Sequence, residues 1–227
     1  MPRIARAVVP GFPHHVSQRG NRGADVFLDA EDRERYLSVA SHYARRHGVD
    51  IWAYCLMPDH VHLVLVPETE AALTKAVGQV HHRYTKMINF RQRWKGHLWQ
   101  GRYASYPMDE KYMFACVRYI EMNPVRANLV EKPEDWQWSS ARYHLGNREE
   151  NLIADSSPLD TIANWKEFLN EPTIEADLLR KHERTGRPLG NMEFIEKCSI
   201  ILNRDLAKQK PGPKGPRKKR RNKRVIK

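Results

Sequence analysis

The sequence has few cysteines and no long apolar run. Its three cysteines, Cys55, Cys116 and Cys198, form no C-x-x-C pair, which excludes a disulfide framework and a zinc knuckle and fits a reducing cytoplasm. No stretch approaches the roughly 20 apolar residues of a membrane helix, and residues 1–11 lack the apolar segment of a signal peptide. There is no repeat of fixed period. Acidic residues are missing from two places. From Lys208 to Lys227 there are eleven Lys and Arg and no acid, which places most of the formal net charge of +12 in the tail and leaves the rest of the chain nearly neutral. So charged and apolar-poor a segment reads as a disordered arm that holds phosphates without sequence preference.

What is present is a chain of 227 residues with 41% hydrophobic content, enough for one substantial core plus an extension. The order of elements reads as a strand at 14–20, a helix at 30–47 ending at Gly48, strands at 50–57 and 60–66 joined by the Pro58-Asp59 corner, a helix at 70–93, a strand at 97–108 and a helix from about 109 to 127. That is an α+β, ferredoxin-like split βαβ arrangement: an antiparallel sheet with helices on one face. Beyond Gly146 the pattern turns helical and polar. The expected organisation is a main domain over 1–145, a helical accessory region over 146–207 and a disordered basic tail over 208–227.

The segment "HVHLVLV" puts His60 and His62 two apart on a strand. Alternate residues share a face about 6.6 Å apart along the strand, so Val61, Leu63 and Leu65 fill the other face. The two imidazoles could grip one divalent ion, or be satisfied strand histidines. In "YMFACVRYIEMNPVRANLV", Tyr119 and Asn123 are four apart on one helical face. A phenol and an amide oxygen opposite two imidazoles would supply a nucleophile and a third ligand to Mg²⁺ or Mn²⁺. Tyr119 packed through its ring into the core is the competing reading.

Taken together these segments resemble a known family. "MPDHVHLVLV" looks like the histidine-hydrophobe-histidine motif of the single-tyrosine HUH transposases, which carry the transposase IS200-like domain. "RYIEMNPVRANLV" resembles the helix bearing their nucleophile, and "HHVSQRGN" and "HLWQGRYAS" match in order, so that the resemblance covers His14 to Tyr143. An asparagine rather than a glutamine at the third-ligand position, with the basic extension, makes the chain most similar to the REP-associated tyrosine transposases. The resemblance implies a metal-dependent single-stranded DNA endonuclease and strand transferase. His60, His62 and Asn123 would hold Mg²⁺ or Mn²⁺, and Tyr119 would attack a phosphate beside a hairpin to give a 5′-phosphotyrosine and a free 3′ hydroxyl. Tyr112, two turns earlier, reads as structural.

The second acid-free stretch runs from Val80 to Met108, where Arg83, Lys86, Arg91, Arg93, Lys95 and Arg102 alternate with rings that include Trp94, Trp99 and Tyr103. Cations interleaved with rings suit single-stranded or hairpin DNA. Arg3, Arg6, Arg19 and Arg22 form a second strip, and Trp136 and Trp138 read as a clamp onto the sheet. The partners expected are single-stranded or hairpin DNA and no membrane, in a cytoplasmic, nucleoid-associated monomer or homodimer. The rival functions are a non-catalytic DNA or RNA hairpin-binding regulator on the same fold, and a metal phosphodiesterase that uses water.

Overall fold

A computed structural model describes residues 5–146, 152–154, 157–171 and 176–207; the basic tail and Arg3 lie outside the described residues. The chain forms β1 (His14–Arg19), α1 (Ala30–His47), β2 (Val49–Leu56), β3 (His60–Pro67), α2 (Glu70–Gln92), β4 (Ala104–Pro107) and α3 (Glu110–Glu121). The sheet order is β2-β3-β1-β4 and every pair is antiparallel. This is the split βαβ topology, with β3 between the strands that α1 connects.

Local chemistry sets the helix ends. The Asp29 side chain accepts from the Asp32 N–H at the start of α1, and Gly48, at φ 64°, ends it by donating to the Ala44 and Arg45 carbonyls. Acidic residues in the first turn and basic ones in the last complement the helix dipole. α1 and α2 share one face of the sheet, where Tyr36 and Tyr84 pack with Val61, Leu63 and Leu65. α3 lies on the opposite face against Cys55, Val64 and Tyr106. Leu159, Trp165, Phe168, Leu179 and Leu189 join that second cluster, so the accessory region shares a core with the sheet.

Among the described residues, five short α-helices follow α3: α4 (Asn123–Arg126), α5 (Ala141–His144), α6 (Trp165–Asn170), α7 (Ala176–Thr185) and α8 (Met192–Ile201). A buried carboxylate on α3 fastens two of them, α5 and α6. Glu121 accepts from Ser140 Oγ at 2.5 Å and Trp165 Nε1 at 2.8 Å, and meets His144 Nδ1 at 2.7 Å. Non-strand backbone covers both sheet edges. On β2, Leu56 N–H bonds the Trp138 carbonyl, while the Tyr54 and Ile51 carbonyls accept from Ser140 and Ala154; on β4, Pro107 and Asp109 bond Leu189. Trp136 donates to the Leu56 carbonyl at 3.1 Å and Trp138 is buried, the clamp expected of them.

Two expected elements are corrected. The strand expected over 97–108 pairs regularly only at Ala104–Pro107. Gly96 and Gly101, at φ 100° and 67°, turn the chain before it, while Leu98, Trp99 and Tyr103 reach into the core from the loop. The helix expected over 109–127 breaks at Met122, because Pro124 has no N–H to give the Ile120 carbonyl.

Candidate active site

One end of the sheet collects the chemistry. Strand alternation sends His60 and His62 toward α3, as the period-two reading requires, with Val61 and Leu63 on the far side. The two imidazoles stand perpendicular, ring centroids 4.9 Å apart. α3 runs back along this face and brings Tyr119, 7% exposed, to His62, with ring centroids 6.1 Å apart at 88°. Asn123 follows across the Pro124 break and is buried.

Arg126 joins these last two groups. Its guanidinium lies 3.8 Å from the centroid of the Tyr119 ring, and it donates to the Tyr119 carbonyl and to Asn123 Oδ1, each at 3.3 Å. A cation over a phenol face is an attractive contact. The sequence reading gave Arg126 no role, although its place three residues after Asn123 in "NPVR" was a signal that could have found it.

Each histidine has one nitrogen fixed from behind. His60 Nδ1 meets Asp59 Oδ1 at 2.5 Å, and Asp59 also pairs with Arg19 at 3.4 Å. His62 Nδ1 meets His15 Nε2 at 2.9 Å. Neither Nε2 has a hydrogen-bond partner among the described residues. Burial pulls both histidines below the ordinary imidazole value; His15, His60, Arg19 and Arg126 push His62 further down, while Asp59 partly restores His60. Both are therefore neutral at neutral pH, the form that ligates. A metal-binding histidine usually has its other ring nitrogen held by a carboxylate, carbonyl or water; Asp59 fills that place for His60, and the His15 imidazole takes it for His62. Asn123 Oδ1 has two lone pairs, and Arg126 takes one. The donor set fits a divalent ion with nitrogen and oxygen ligands.

A second grouping was not foreseen. Ligand atoms of His15, His62 and Glu183 lie within 4.8 Å of one another and could hold an ion. Glu183 belongs to α7, and no local pattern announces it.

The expected DNA contacts divide. Arg19, Arg22, Arg83, Lys86, Arg91, Arg93, Lys95 and Arg102 are exposed, and Trp94 is 48% exposed. Arg83 and Lys86 lie on α2, across the sheet from Tyr119. Arg91 is held by Asp32 at 2.6 Å and Asp29 at 3.3 Å. Trp99 and Tyr103, at 7% and 8% exposure, are largely buried, Trp99 packed on His81 and Tyr103 lying under Arg6. Beside the edge of β4, a cleft of about 560 Å³ is lined by Arg6, Arg102, Tyr103, Glu183, Arg184 and Gly186.

Residues 14–123 match the family model described as Transposase IS200 like. Over that segment, just under half of the chain, the protein is similar to the IS200-like transposases. A protein of Haemophilus influenzae named as a REP-associated tyrosine transposase is 27% identical over 121 residues, 48% of this chain and 66% of the relative. The match thus spans just under two thirds of that relative's length. A solved REP-associated tyrosine transposase bound to a REP hairpin aligns with a TM-score of 0.56 at 20% identity, covering 77% of this chain and 100% of the other, a likeness of fold. A Deinococcus radiodurans structure described as a transposase covers 53% of this chain and 96% of its own at 22% identity, with a TM-score of 0.38 that carries no argument. Among the described residues, no helix is long and apolar enough to cross a membrane.

Proposed function

We propose that this IS200-like chain is a REP-associated tyrosine transposase, a metal-dependent endonuclease and strand transferase acting on single-stranded DNA at hairpin-forming repeats. The observation that carries the reading is the juxtaposition of His62 and Tyr119, rings 6.1 Å apart, with Arg126 stacked on the same phenol.

In this reading His60, His62 and Asn123 hold Mg²⁺ or Mn²⁺, which when bound polarises the scissile phosphate. Tyr119 Oη loses its proton to water and attacks the phosphorus. The new bond joins the phenolic oxygen to the 5′ phosphate, the P–O3′ bond breaks, and the leaving oxygen takes a proton to become a free 3′ hydroxyl. Conserving one phosphodiester bond as phosphotyrosine allows rejoining without an outside energy source. Arg126 fixes the Tyr119 ring and the Asn123 amide in one arrangement. Arg19 and Arg22 flank the site, Trp94 offers a stacking face with Arg93 and Lys95 beside it, and the cleft carrying Arg6, Arg102 and Arg184 is a path for the strand next to the hairpin. The division into a catalytic domain (1–145), an accessory region (146–207) and a phosphate-holding tail (208–227) belongs to the same reading, as do a monomeric or homodimeric state and a place in the cytoplasm at the nucleoid.

The test incubates the protein with end-labelled single-stranded hairpins bearing REP-like stems and Mg²⁺ or Mn²⁺, followed by denaturing electrophoresis. A labelled protein band that needs the ion and vanishes in Tyr119→Phe, with hairpin binding kept, is expected. Cleavage without a covalent band would instead indicate water as the nucleophile. Tight binding with neither band nor cleavage would leave a hairpin-binding regulator.

A further inference from the structure

Behind His62 lie three polar side chains that the strand-transfer chemistry leaves unused: His15, Tyr106 and Glu183. His15 is fully buried and both its nitrogens are occupied, Nε2 at 2.9 Å from His62 Nδ1 and Nδ1 at 2.9 Å from Tyr106 Oη. Both rings are buried and neither has a carboxylate within hydrogen-bond distance, so each is neutral and carries a single proton. A neutral imidazole has one donor and one acceptor, and the row of three groups therefore has two consistent polarities.

In the first, Tyr106 donates to His15 Nδ1, His15 Nε2–H donates to His62 Nδ1, and His62 keeps its proton on Nε2. A cation is then shut out. In the second, His62 Nδ1–H donates to His15 Nε2 and His15 Nδ1–H donates to Tyr106 Oη. The His62 Nε2 lone pair then faces the site.

Glu183 distinguishes the two. Its Oε1 lies 3.9 Å from His15 Nδ1 and is fixed there by Ser17 Oγ, which donates to it at 2.8 Å. Because Oε1 accepts from Ser17, it presents an acceptor toward His15, and an acceptor at that place stabilises a proton on His15 Nδ1, which belongs only to the second polarity.

We propose that Glu183 acts through His15 to hold His62 in the Nδ1–H tautomer, which makes Glu183 and His15 positioning residues for a metal ligand. This rests on the metal role proposed for His60 and His62. Direct ligation by His15 and Glu183 is disfavoured because Glu183 approaches Nδ1 of His15 whereas His62 meets Nε2, so an ion shared by all three would have to displace the hydrogen bond between the rings.

The test uses the full chain without DNA. Long-range proton–nitrogen spectra of histidine-labelled protein, with His62 assigned by its loss in His62→Gln, read the tautomer; calorimetry with Mn²⁺ alone reads affinity. The wild type is expected to show His62 as Nδ1–H. Glu183→Gln is expected to move it toward Nε2–H and to weaken Mn²⁺ binding by about 10- to 100-fold, with Ser17→Ala giving a smaller change in the same direction should the first variant melt early. A wild-type His62 protonated on Nε2 overturns the proposal, as does a Glu183→Gln protein with unchanged tautomer and affinity. Weaker Mn²⁺ binding with an unchanged tautomer overturns it in favour of direct ligation. Tyr119→Phe leaves both readouts at wild-type values, so a failure of strand transfer is scored separately, and the tautomer decides even if Mn²⁺ binds only with DNA.

Discussion

Arg126 is the residue whose removal tells most about how the site is held. Its planar fork faces the Tyr119 ring and two carbonyl oxygens at once, a geometry that a lysine ammonium cannot reproduce. Arg126→Ala and Arg126→Lys should both slow phosphotyrosine formation by about 10- to 100-fold, with hairpin affinity changed far less; single-turnover adduct assays beside filter binding would show it. A second residue-level expectation concerns acid. His81 is buried against Trp99 and meets Tyr36 Oη at 3.0 Å, and burial lowers it from 6.5 to about 3. Between those values the unfolded chain binds more protons than the folded one, so stability is intact above pH 6.5. It falls by about 1.4 kcal/mol for each pH unit below. His81→Phe leaves the Tyr36 hydroxyl unpartnered and should cost about 1–3 kcal/mol at pH 7, yet lose less than wild type on going to pH 4.5. Urea denaturation at the two pH values measures both, and equal losses would clear His81 of the effect. Single residues were legible where their spacing was local: His60 with His62, Tyr119 with Asn123. Glu183 was not, because it meets Ser17 across 166 positions and carries no mark in its own neighbourhood.

Elements were read well where side-chain periodicity was strong and badly where glycine intervened. α1, β2, β3 and α2 fall within a residue or so of their expected bounds, since capping chemistry at Asp29 and Gly48 and alternation in "HVHLVLV" leave little choice. The segment 97–108 looked like one strand because Leu98, Trp99, Tyr103 and Tyr106 are strand-like in type. They reach the core from a loop and a short strand, a difference that backbone angles at Gly96 and Gly101 decide. Gly20 shows the same dependence at the other end of the site. Its N–H bonds the Asp59 carbonyl at 2.7 Å, and a Cβ there would strike the Ala24 carbonyl and come within 2.9 Å of Val26 Cγ1. Gly20→Ala should therefore destabilise the fold by about 1–3 kcal/mol and disturb the corner carrying Asp59 and His60. A thermal melt lowered by less than a degree would show that this turn yields more easily than the geometry indicates.

At the scale of the molecule, charge and core are separated along the chain. Eleven Lys and Arg lie in 208–227, while the remainder is nearly balanced. A chain ending at Ala207 should keep Mn²⁺ binding and lose much of its salt-sensitive affinity for single strands, the logarithmic salt slope becoming shallower by up to about 8 if every tail charge meets a phosphate. Binding titrations at several salt concentrations give that slope directly. The overall topology was legible because the order of elements admits few antiparallel sheets; the joining of the accessory region to the α3 face was not, since Leu159, Phe168 and Leu189 read locally as ordinary apolar residues. The covered sheet edges have a further bearing, on self-association. An open strand edge is a template for another chain, and here Trp138, Ser140, Ala154 and Leu189 occupy the positions from which a neighbouring copy would add its strand. A chain cut after residue 145 would lose the Ala154 and Leu189 covers and bare the apolar face of α3, and it should sediment as aggregates, whereas the chain ending at Ala207 should not.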